Sequence, residues 1–226
     1  MKILNLYAGI GGNRKLWGDS HEITAIEYKP EIAKIYQDFF PKDKVIIGDA
    51  HQYLLDHFSE FDFIWSSPPC QTHARMNIAN ALSPYKENIK QLATGGGILP
   101  RYAKMELYQE IIFLTHHFKG KWVVENVVGY YEPLVQPQEV AKHYFWTNFL
   151  LRNFVGEGRG MGKDETVEKL SKLKGFDLTS YKGMDKRLLL RNCVEPELAK
   201  HILDLALNPI ETQKSLFNPS TKTESS

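Results

Sequence analysis

A cysteine stands directly behind two prolines in the segment SSPPCQTH, residues 66–73. The preceding residues FDFIW are typical of a buried strand, so Cys70 is expected on a turn just beyond a strand end. Pro68 and Pro69 fix φ and remove two backbone donors, which leaves the turn little freedom. A cysteine held in this way could act as a nucleophile, or it could be a buried structural thiol. These residues alone leave both interpretations open.

A glycine-rich turn, YAGIGG, follows the first apolar run at residues 7–12. Its glycines permit positive φ and the close approach of a ligand to the backbone. No lysine followed by serine or threonine comes after them, so a phosphate-cradling P-loop is not expected. A pyrophosphate-binding turn is not excluded by the glycines themselves.

Two acidic residues end the next two predicted strands. Glu27 could accept hydrogen bonds from both hydroxyls of a ribose, and Asp49 could accept one from an adenine amino group. The alternatives are a solvated acid at position 27 and a helix N-cap at position 49. Together with the glycine turn, acids on successive strand ends favour an adenosyl cofactor.

The elements that must position these residues alternate between strand and helix from the start of the chain. This order predicts an α/β fold with a doubly wound, mostly parallel sheet. The strand-like segments are KILNL, HEITAIE, KVIIGDA, FDFIWSS, KWVVEN and HYFWTNFLL, and the helix-like ones are NRKLW, PEIAKIYQDFF, AHQYLLDHF, RYAKMELYQEIIFLTHHF, TVEKLSKL and EPELAKHILDLAL. Residues 72–100 interrupt the alternation with a polar loop that includes Gly95 to Gly97, and loops of this length are usually functional or disordered.

The bulk composition limits the classes of protein. A length of 226 residues suits one domain, and a net charge of +1 gives no general basic field for nucleic acid. Two cysteines do not make a disulfide framework, so Cys70 and Cys193 are expected to be free thiols in a reducing cytoplasm. We expect neither a signal peptide nor a membrane span.

Four motifs in order, LYAGIGG, SPPCQ, VVENV and RNCVEPELAKHI, resemble those of the cytosine-5 DNA methyltransferases. HYFWTNF and LSKLKGFD are similar to further segments of that family, and the resemblance spans about residues 1–205. It implies a sheet of the S-adenosylmethionine-dependent methyltransferase type with a very small target-recognition insertion. The implied regions are a cofactor-binding and catalytic domain at 1–149, a small target-recognition region at 150–180, helices completing the catalytic domain at 181–207 and a disordered tail at 208–226.

The resemblance implies a covalent mechanism. The Cys70 thiolate would add to carbon-6 of cytosine, so that carbon-5 can attack the methyl group of S-adenosylmethionine. Glu125 would protonate nitrogen-3 and read the cytosine edge, a role that requires a protonated carboxyl; apolar neighbours such as Trp122 and Val124 favour that form. Both groups require the base to be flipped out of the duplex.

Other residues take roles through the same resemblance. Asn126 would orient the catalytic turn, the loop 72–100 would close over the nucleotide, and Cys193 would serve packing. His73, Arg75 and Lys86 could contact phosphates, although for each of them alone an ordinary solvated side chain is the favoured interpretation. The implied cofactor contacts are Tyr7, Ala8, Gly9, Gly11, Gly12, Glu27, Tyr28, Asp49, Ala50, Pro68, Asn192 and Val194. The implied contacts with DNA are Gln71, Arg75, Asn126, Lys142, His143, Arg152 and Arg159.

The sequence departs from the family pattern in three places. Ala141-Lys142-His143 stands where the family usually has Arg-x-Arg, and Arg191 stands where it usually has glycine. Only residues 150–163 are available to read the target, which predicts a short site of about two to four base pairs.

Several hypotheses follow. The leading one is DNA cytosine-5 methylation by a monomer in a bacterial cytoplasm, at the nucleoid, with double-stranded DNA as partner and with or without an accompanying restriction enzyme. The alternatives are the tRNA-methylating branch, whose Cys-Phe-Thr signature is not found, a non-catalytic DNA-binding member, and an enzyme with an altered adenosyl donor. In the tail, QKSLF resembles the bacterial sliding-clamp-binding pentapeptide, with Gln213, Leu216 and Phe217 as the contacts; folding back onto the domain is the alternative.

Overall fold

The computed structural model describes residues 1–74, 103–154 and 166–208. Within them, one seven-stranded sheet has the order β3-β2-β1-β4-β5-β7-β6. The strands are β1 Lys2–Leu6, β2 Glu22–Glu27, β3 Lys44–Ile47, β4 Phe63–Ser66, β5 Lys121–Val127, β6 Gln138–Val140 and β7 His143–Thr147. The α-helices are α1 Pro30–Phe39, α2 Ala50–His57, α3 Glu106–His117, α4 Val167–Lys174, α5 Lys186–Arg191 and α6 Pro196–Leu207.

Strands β1 to β5 pair in parallel, and β7 runs antiparallel to both β5 and β6. The chain moves outward from β1 through β2 to β3 and then returns to β4 on the other side of β1. The strand order therefore reverses between β1 and β4, and doubly wound sheets bind ligands beyond the carboxyl ends at such a point. This architecture confirms the predicted mostly parallel α/β sheet.

Helices cover both faces of the sheet, because the side chains of each strand alternate between the two faces. On one face α2 and α3 pack against β1, β4 and β5 through Leu4, Leu6, Leu54, Ile64, Ile111, Leu114 and Val124. On the other face α6 packs through Ile3, Trp65, Val123, Phe145, Leu198 and Ile202. A neighbouring cluster joins α1, α4 and the segment after α4 through Ala25, Ile35, Tyr36, Leu170, Phe176 and Leu178. Segment 167–178 thus packs against the main body, and the regional division at residues 150 and 180 stays a prediction.

Most elements lie where the sequence predicts them, with four differences. The segment after the glycine turn forms only a short 3-10 helix, Asn13–Leu16, and the helix expected from residue 101 begins at Glu106. Strand β6 and helix α5 were not predicted, because each is short and neither has a clear periodicity. In the described part of the chain, none of the helices combines the length and apolar character needed to cross a bilayer.

Candidate active site

The glycine turn leaves β1 at the point where the strand order reverses. The Ala8 amide donates to the Ile26 carbonyl at 3.0 Å, and the Gly9 amide donates to Oε2 of Glu27 at 3.0 Å. The other oxygen of Glu27 accepts from the Lys29 amide at 3.0 Å, so this carboxylate is fixed at the end of β2. Gly9 has a φ of +56°, and no heavy atom lies within 4 Å of the position that a Cβ would take. The turn therefore borders open space, and these residues fit an adenosyl ligand.

The late RNCVEP segment forms one wall of this turn. A Cβ on Gly12 would lie 2.6 Å from Cβ of Cys193 and 2.9 Å from the carbonyl oxygen of Val194, so only glycine permits this contact. The contact brings Asn192 and Val194, both predicted to bind the cofactor, next to the turn. Cys193 itself is buried, and burial raises the pKa of its thiol to about 12. The thiol is therefore inert and serves packing, as expected from the sequence.

The other predicted cofactor residues line the same edge of the sheet. Oδ1 of Asp49 accepts from the Gln52 amide at 3.0 Å and caps α2, which was the alternative interpretation of this acid. Ala50 is buried at the start of that helix, and Tyr28 is 75% exposed beyond β2. Contacts of Asp49 and Tyr28 with an adenine ring stay predictions.

Cys70 lies beyond the end of β4 and opens a 3-10 turn, Cys70–Thr72. Its carbonyl accepts from the amides of His73 and Ala74, each at 2.9 Å, and its side chain is half-buried. Nδ2 of the buried Asn126 donates to the Pro68 carbonyl at 3.0 Å. A buried amide bound to a buried carbonyl is costly to break, so Asn126 fixes the turn, as expected from the sequence.

Glu125 and Cys70 come together because β4 and β5 are parallel neighbours, with Ser66 opposite Val124. Glu125 is the next residue of β5, and its side chain is buried. Burial, and then the Glu125 carboxylate, raise the pKa of the Cys70 thiol. The thiol is therefore the favoured form before any substrate binds, and the two groups predicted to be catalytic act on each other electrostatically.

The residues in place of the Arg-x-Arg motif form the turn between β6 and β7. Ala141 has a φ of +49° and Lys142 a φ of +65°, a left-handed pair that L-residues adopt only at a cost. His143 pairs with Val127 of β5, so the turn lies one strand away from Glu125. Lys142 is exposed at its tip.

The remaining predicted nucleic-acid contacts have different outcomes. Gln71 and Arg152 are exposed, and the Arg152 carbonyl accepts from Nε2 of His201 at 3.4 Å. The phosphate contact suggested for His73 is wrong, because its ring is buried against the Tyr131 hydroxyl at 2.6 Å and burial lowers its pKa. Predictions for other residues lie outside the described part of the chain: Arg75, Lys86, Gly95 to Gly97, Arg159, Gln213, Leu216 and Phe217.

Sequence reasoning missed the supporting roles of two residues, His73 and Glu110. His73 joins the turn that carries Cys70, here called the catalytic turn after its predicted role, to the loop after β5. Its ring contacts the Tyr131 hydroxyl, and its carbonyl accepts from the Tyr130 amide at 3.2 Å. Glu110 of α3 is fully buried and accepts hydrogen bonds from the ends of β1 and β4. An acid within the apolar run ELYQEIIFL was the available signal, but a helix exposes most of its acids.

Comparisons with known proteins bear on Cys70 and the glycine turn. Residues 1–82, which include Cys70, match the family model for C-5 cytosine-specific DNA methylases. Over these residues the chain is similar to the cytosine-5 methyltransferases. The match bears out the predicted resemblance over this part of the chain, and it agrees with S-adenosylmethionine as the predicted cofactor.

Two curated proteins similar to this chain are each a tRNA (cytosine(38)-C(5))-methyltransferase. The Rattus norvegicus protein is 28% identical over 126 residues, and the Mus musculus protein is 27% identical over 127 residues. Each match covers 53% of this chain but only 31% and 29% of the relative, so this chain matches about a third of their length. A solved structure of a Spodoptera frugiperda DNMT2 variant is 26% identical, with a TM-score of 0.38 over 57% of this chain and 36% of that one.

Proposed function

We propose that this protein methylates carbon-5 of a flipped-out cytosine in a short DNA target. The observation that carries the proposal is the placement of Cys70 on a stiff turn beside the buried Glu125, at the reversal of strand order. A family model for DNA methylases that includes this cysteine supports it. The family alone does not decide between DNA and RNA.

Cys70 is the nucleophile in this proposal. Its thiolate adds to carbon-6 of the ring, and the electron pair of the carbon-5–carbon-6 double bond becomes available at carbon-5. Glu125 in its protonated form donates to nitrogen-3 and relieves the negative charge of the ring. After alkylation of carbon-5, loss of the carbon-5 proton and departure of the Cys70 thiolate restore the aromatic ring.

S-adenosylmethionine supplies an electrophilic methyl group when it is bound. Glu27 is placed to hold the ribose hydroxyls, because its carboxylate is fixed by two backbone amides at the end of β2. The backbone of Gly9 to Gly12 and the wall formed by Asn192 and Val194 allow the ligand to approach closely. Tyr7, Asp49 and Tyr28 complete the set of residues proposed to bind it.

Replacement of the nucleophile tests the proposal. Cys70→Ala should abolish methyl transfer and retain S-adenosylmethionine binding, because the thiol takes no part in holding the cofactor. A DNA duplex that contains 5-fluorocytosine should trap a covalent complex with the wild type and not with the variant, since fluorine blocks the final elimination. Cys193→Ala is the matched control and should still be trapped. Methyl transfer by Cys70→Ala would end the proposal.

A tRNA substrate is the second candidate, and the names of the rat and mouse relatives favour it. The catalytic residues would act in the same way on a cytosine in an unpaired loop, where no duplex has to be opened. Parallel assays with radiolabelled S-adenosylmethionine on duplex DNA and on total tRNA separate the two candidates. Label in DNA supports the first, and label in tRNA alone replaces it with the second. Bisulfite sequencing of labelled DNA would then give the target.

A further inference from the structure

A fully buried carboxylate that the proposed chemistry does not use lies between the two halves of the candidate site. Glu110, in the second turn of α3, is 0% exposed. Its Oε1 accepts from the Tyr7 hydroxyl at 2.6 Å and lies 3.2 Å from Nδ1 of His51. Its Oε2 accepts from the Ser66 hydroxyl at 2.5 Å. One carboxylate therefore joins three elements that are far apart in the chain.

Each partner of Glu110 belongs to a different part of the site. Tyr7 is the first residue of the glycine turn, and Ser66 is the last residue of β4, four positions before Cys70. His51 is the second residue of α2, two positions after the acid Asp49 that caps this helix. The oxygens of Glu110 thus link the cofactor turn, the catalytic turn and the helix after β3.

The backbone of Tyr7 shows why this link matters. Its φ is +55°, a left-handed conformation that a bulky L-residue keeps only when its surroundings impose it. The hydrogen bond to Glu110 is one such constraint. Burial, and then the Glu110 carboxylate, raise the pKa of the Tyr7 hydroxyl, so it stays a hydrogen-bond donor. Loss of the carboxylate would leave both a strained turn and a buried hydroxyl without an acceptor.

We propose that Glu110 is a positioning residue that holds the cofactor turn and the catalytic turn in register. The inference deepens the proposed function and rests on it for the meaning of the two turns. Glu110 itself touches neither the substrate nor the cofactor. It acts through Tyr7 on the cofactor side and through Ser66 on the side of the nucleophile.

The test measures binding at the cofactor turn and the reactivity of Cys70 separately, without nucleic acid. Binding of S-adenosylhomocysteine by calorimetry reports the cofactor turn, and the rate of Cys70 alkylation by iodoacetamide reports the catalytic turn. Glu110→Gln keeps the shape but replaces one accepting oxygen with a donor, so it cannot accept from both Tyr7 and Ser66. We expect S-adenosylhomocysteine to bind about tenfold more weakly, and the alkylation rate to change by a factor of about three or more.

Two single variants separate positioning from a general loss of stability. Tyr7→Phe should weaken cofactor binding with little effect on alkylation, and Ser66→Ala should do the reverse. If Glu110 serves stability alone, both variants should lower the free energy of unfolding. Neither variant should then affect one of the two readouts more than the other. Should Glu110→Gln fail to fold, Ser66→Ala still decides the proposal, because an unchanged rate of Cys70 alkylation in this variant overturns it.

Glu106→Gln is the matched control, since it removes an exposed carboxylate one turn earlier on the same helix. It should leave both readouts within about twofold of the wild type. The proposal is overturned when folded Glu110→Gln binds S-adenosylhomocysteine and reacts at Cys70 like the wild type, or when Glu106→Gln has the same effect. Neither readout depends on methyl transfer, so failure of the proposed function would be seen separately, in the nucleic-acid assays.

Discussion

At the scale of single residues, one predicted catalytic group disfavours the reactive form of the other before substrate binds. The Glu125 carboxylate adds to the effect of burial and raises the pKa of Cys70, which disfavours the reactive thiolate. Protonation of Glu125, as its proposed role on nitrogen-3 requires, removes this opposition. In the proposed mechanism, the same carboxyl that would protonate the substrate therefore also influences the nucleophile.

Removal of the charge at position 125 should make Cys70 more reactive. Glu125→Gln leaves a neutral amide of similar shape, so the pKa of Cys70 falls and more thiolate is present at pH 7.5. We expect alkylation by iodoacetamide to accelerate about twofold or more, and methyl transfer to fall by at least about 100-fold because the proton donor is lost.

The pH profile of alkylation is the decisive measurement for that variant. In the wild type the rate should rise with pH and reach its midpoint above the range of an ordinary thiol, because the pKa of Cys70 is raised. The profile of Glu125→Gln should lie at lower pH. The same profile in both proteins would contradict the electrostatic link, and Cys70→Ser supplies the blank.

At the scale of elements, the β6–β7 hairpin carries an unusual turn. Two-residue hairpin turns with positive φ at both positions favour asparagine and glycine, whereas this one contains Ala141 and Lys142. Strained positions of this kind cluster at functional sites. The turn also stands where the resemblance places Arg-x-Arg, and Lys142 is the exposed cation at its tip, so we propose that its ammonium group serves the substrate rather than the fold.

Lys142→Gly should separate these two contributions. Glycine adopts positive φ without a steric cost, so the free energy of unfolding in urea should rise by about 1 kcal/mol. Methyl transfer should fall about tenfold or more if the ammonium group meets the target nucleotide. Lys142→Ala is the control: it should lose the same activity without gaining stability. Full activity in both variants would remove Lys142 from the substrate site.

The strands β1 to β5 and the helices between them could be predicted from the sequence because their apolar periodicity is strong. The hairpin strand β6 could not, since Gln138 and Glu139 are polar and the strand depends on side-chain bonds such as Gln138 Nε2 to Thr147 Oγ1 at 2.8 Å. The positions of Glu27 at the end of β2 and of Cys70 just beyond β4 could be read locally, whereas Glu125 lies inside β5, which continues to Val127. The role of Glu110 could not, because its partners lie 103, 59 and 44 residues away in the chain.

At the scale of the whole molecule, charge alone does not direct the protein to nucleic acid. The net charge is +1, so long-range attraction to a polyanion is weak. Affinity must come from local contacts or from a second point of attachment. The QKSLF segment of the tail lies outside the described residues, and its binding to a bacterial sliding clamp stays a prediction.

A tether to the clamp would raise the local concentration of the enzyme at newly copied DNA without new contacts at the active site. A fluorescent peptide of the tail should bind a purified bacterial clamp with a Kd of about 1–100 μM, as measured by fluorescence polarisation. The peptide with both Leu216→Ala and Phe217→Ala is the control and should lose this binding, because the apolar pair fills the pocket. Absence of binding at high clamp concentration would reject the tether.

The contact between Gly12 and Cys193 bears on the order in which the candidate site can form during synthesis of the chain. The last strand of the sheet ends at Thr147, so the whole sheet can form while the segment with Cys193 and Val194 is still being translated. That segment is the wall against which Gly12 is packed. A nascent chain in which the turn with Cys70 has already formed would therefore still lack one wall of the proposed cofactor site. Under the proposed function, the order of synthesis would complete the cofactor site only after the turn that carries Cys70.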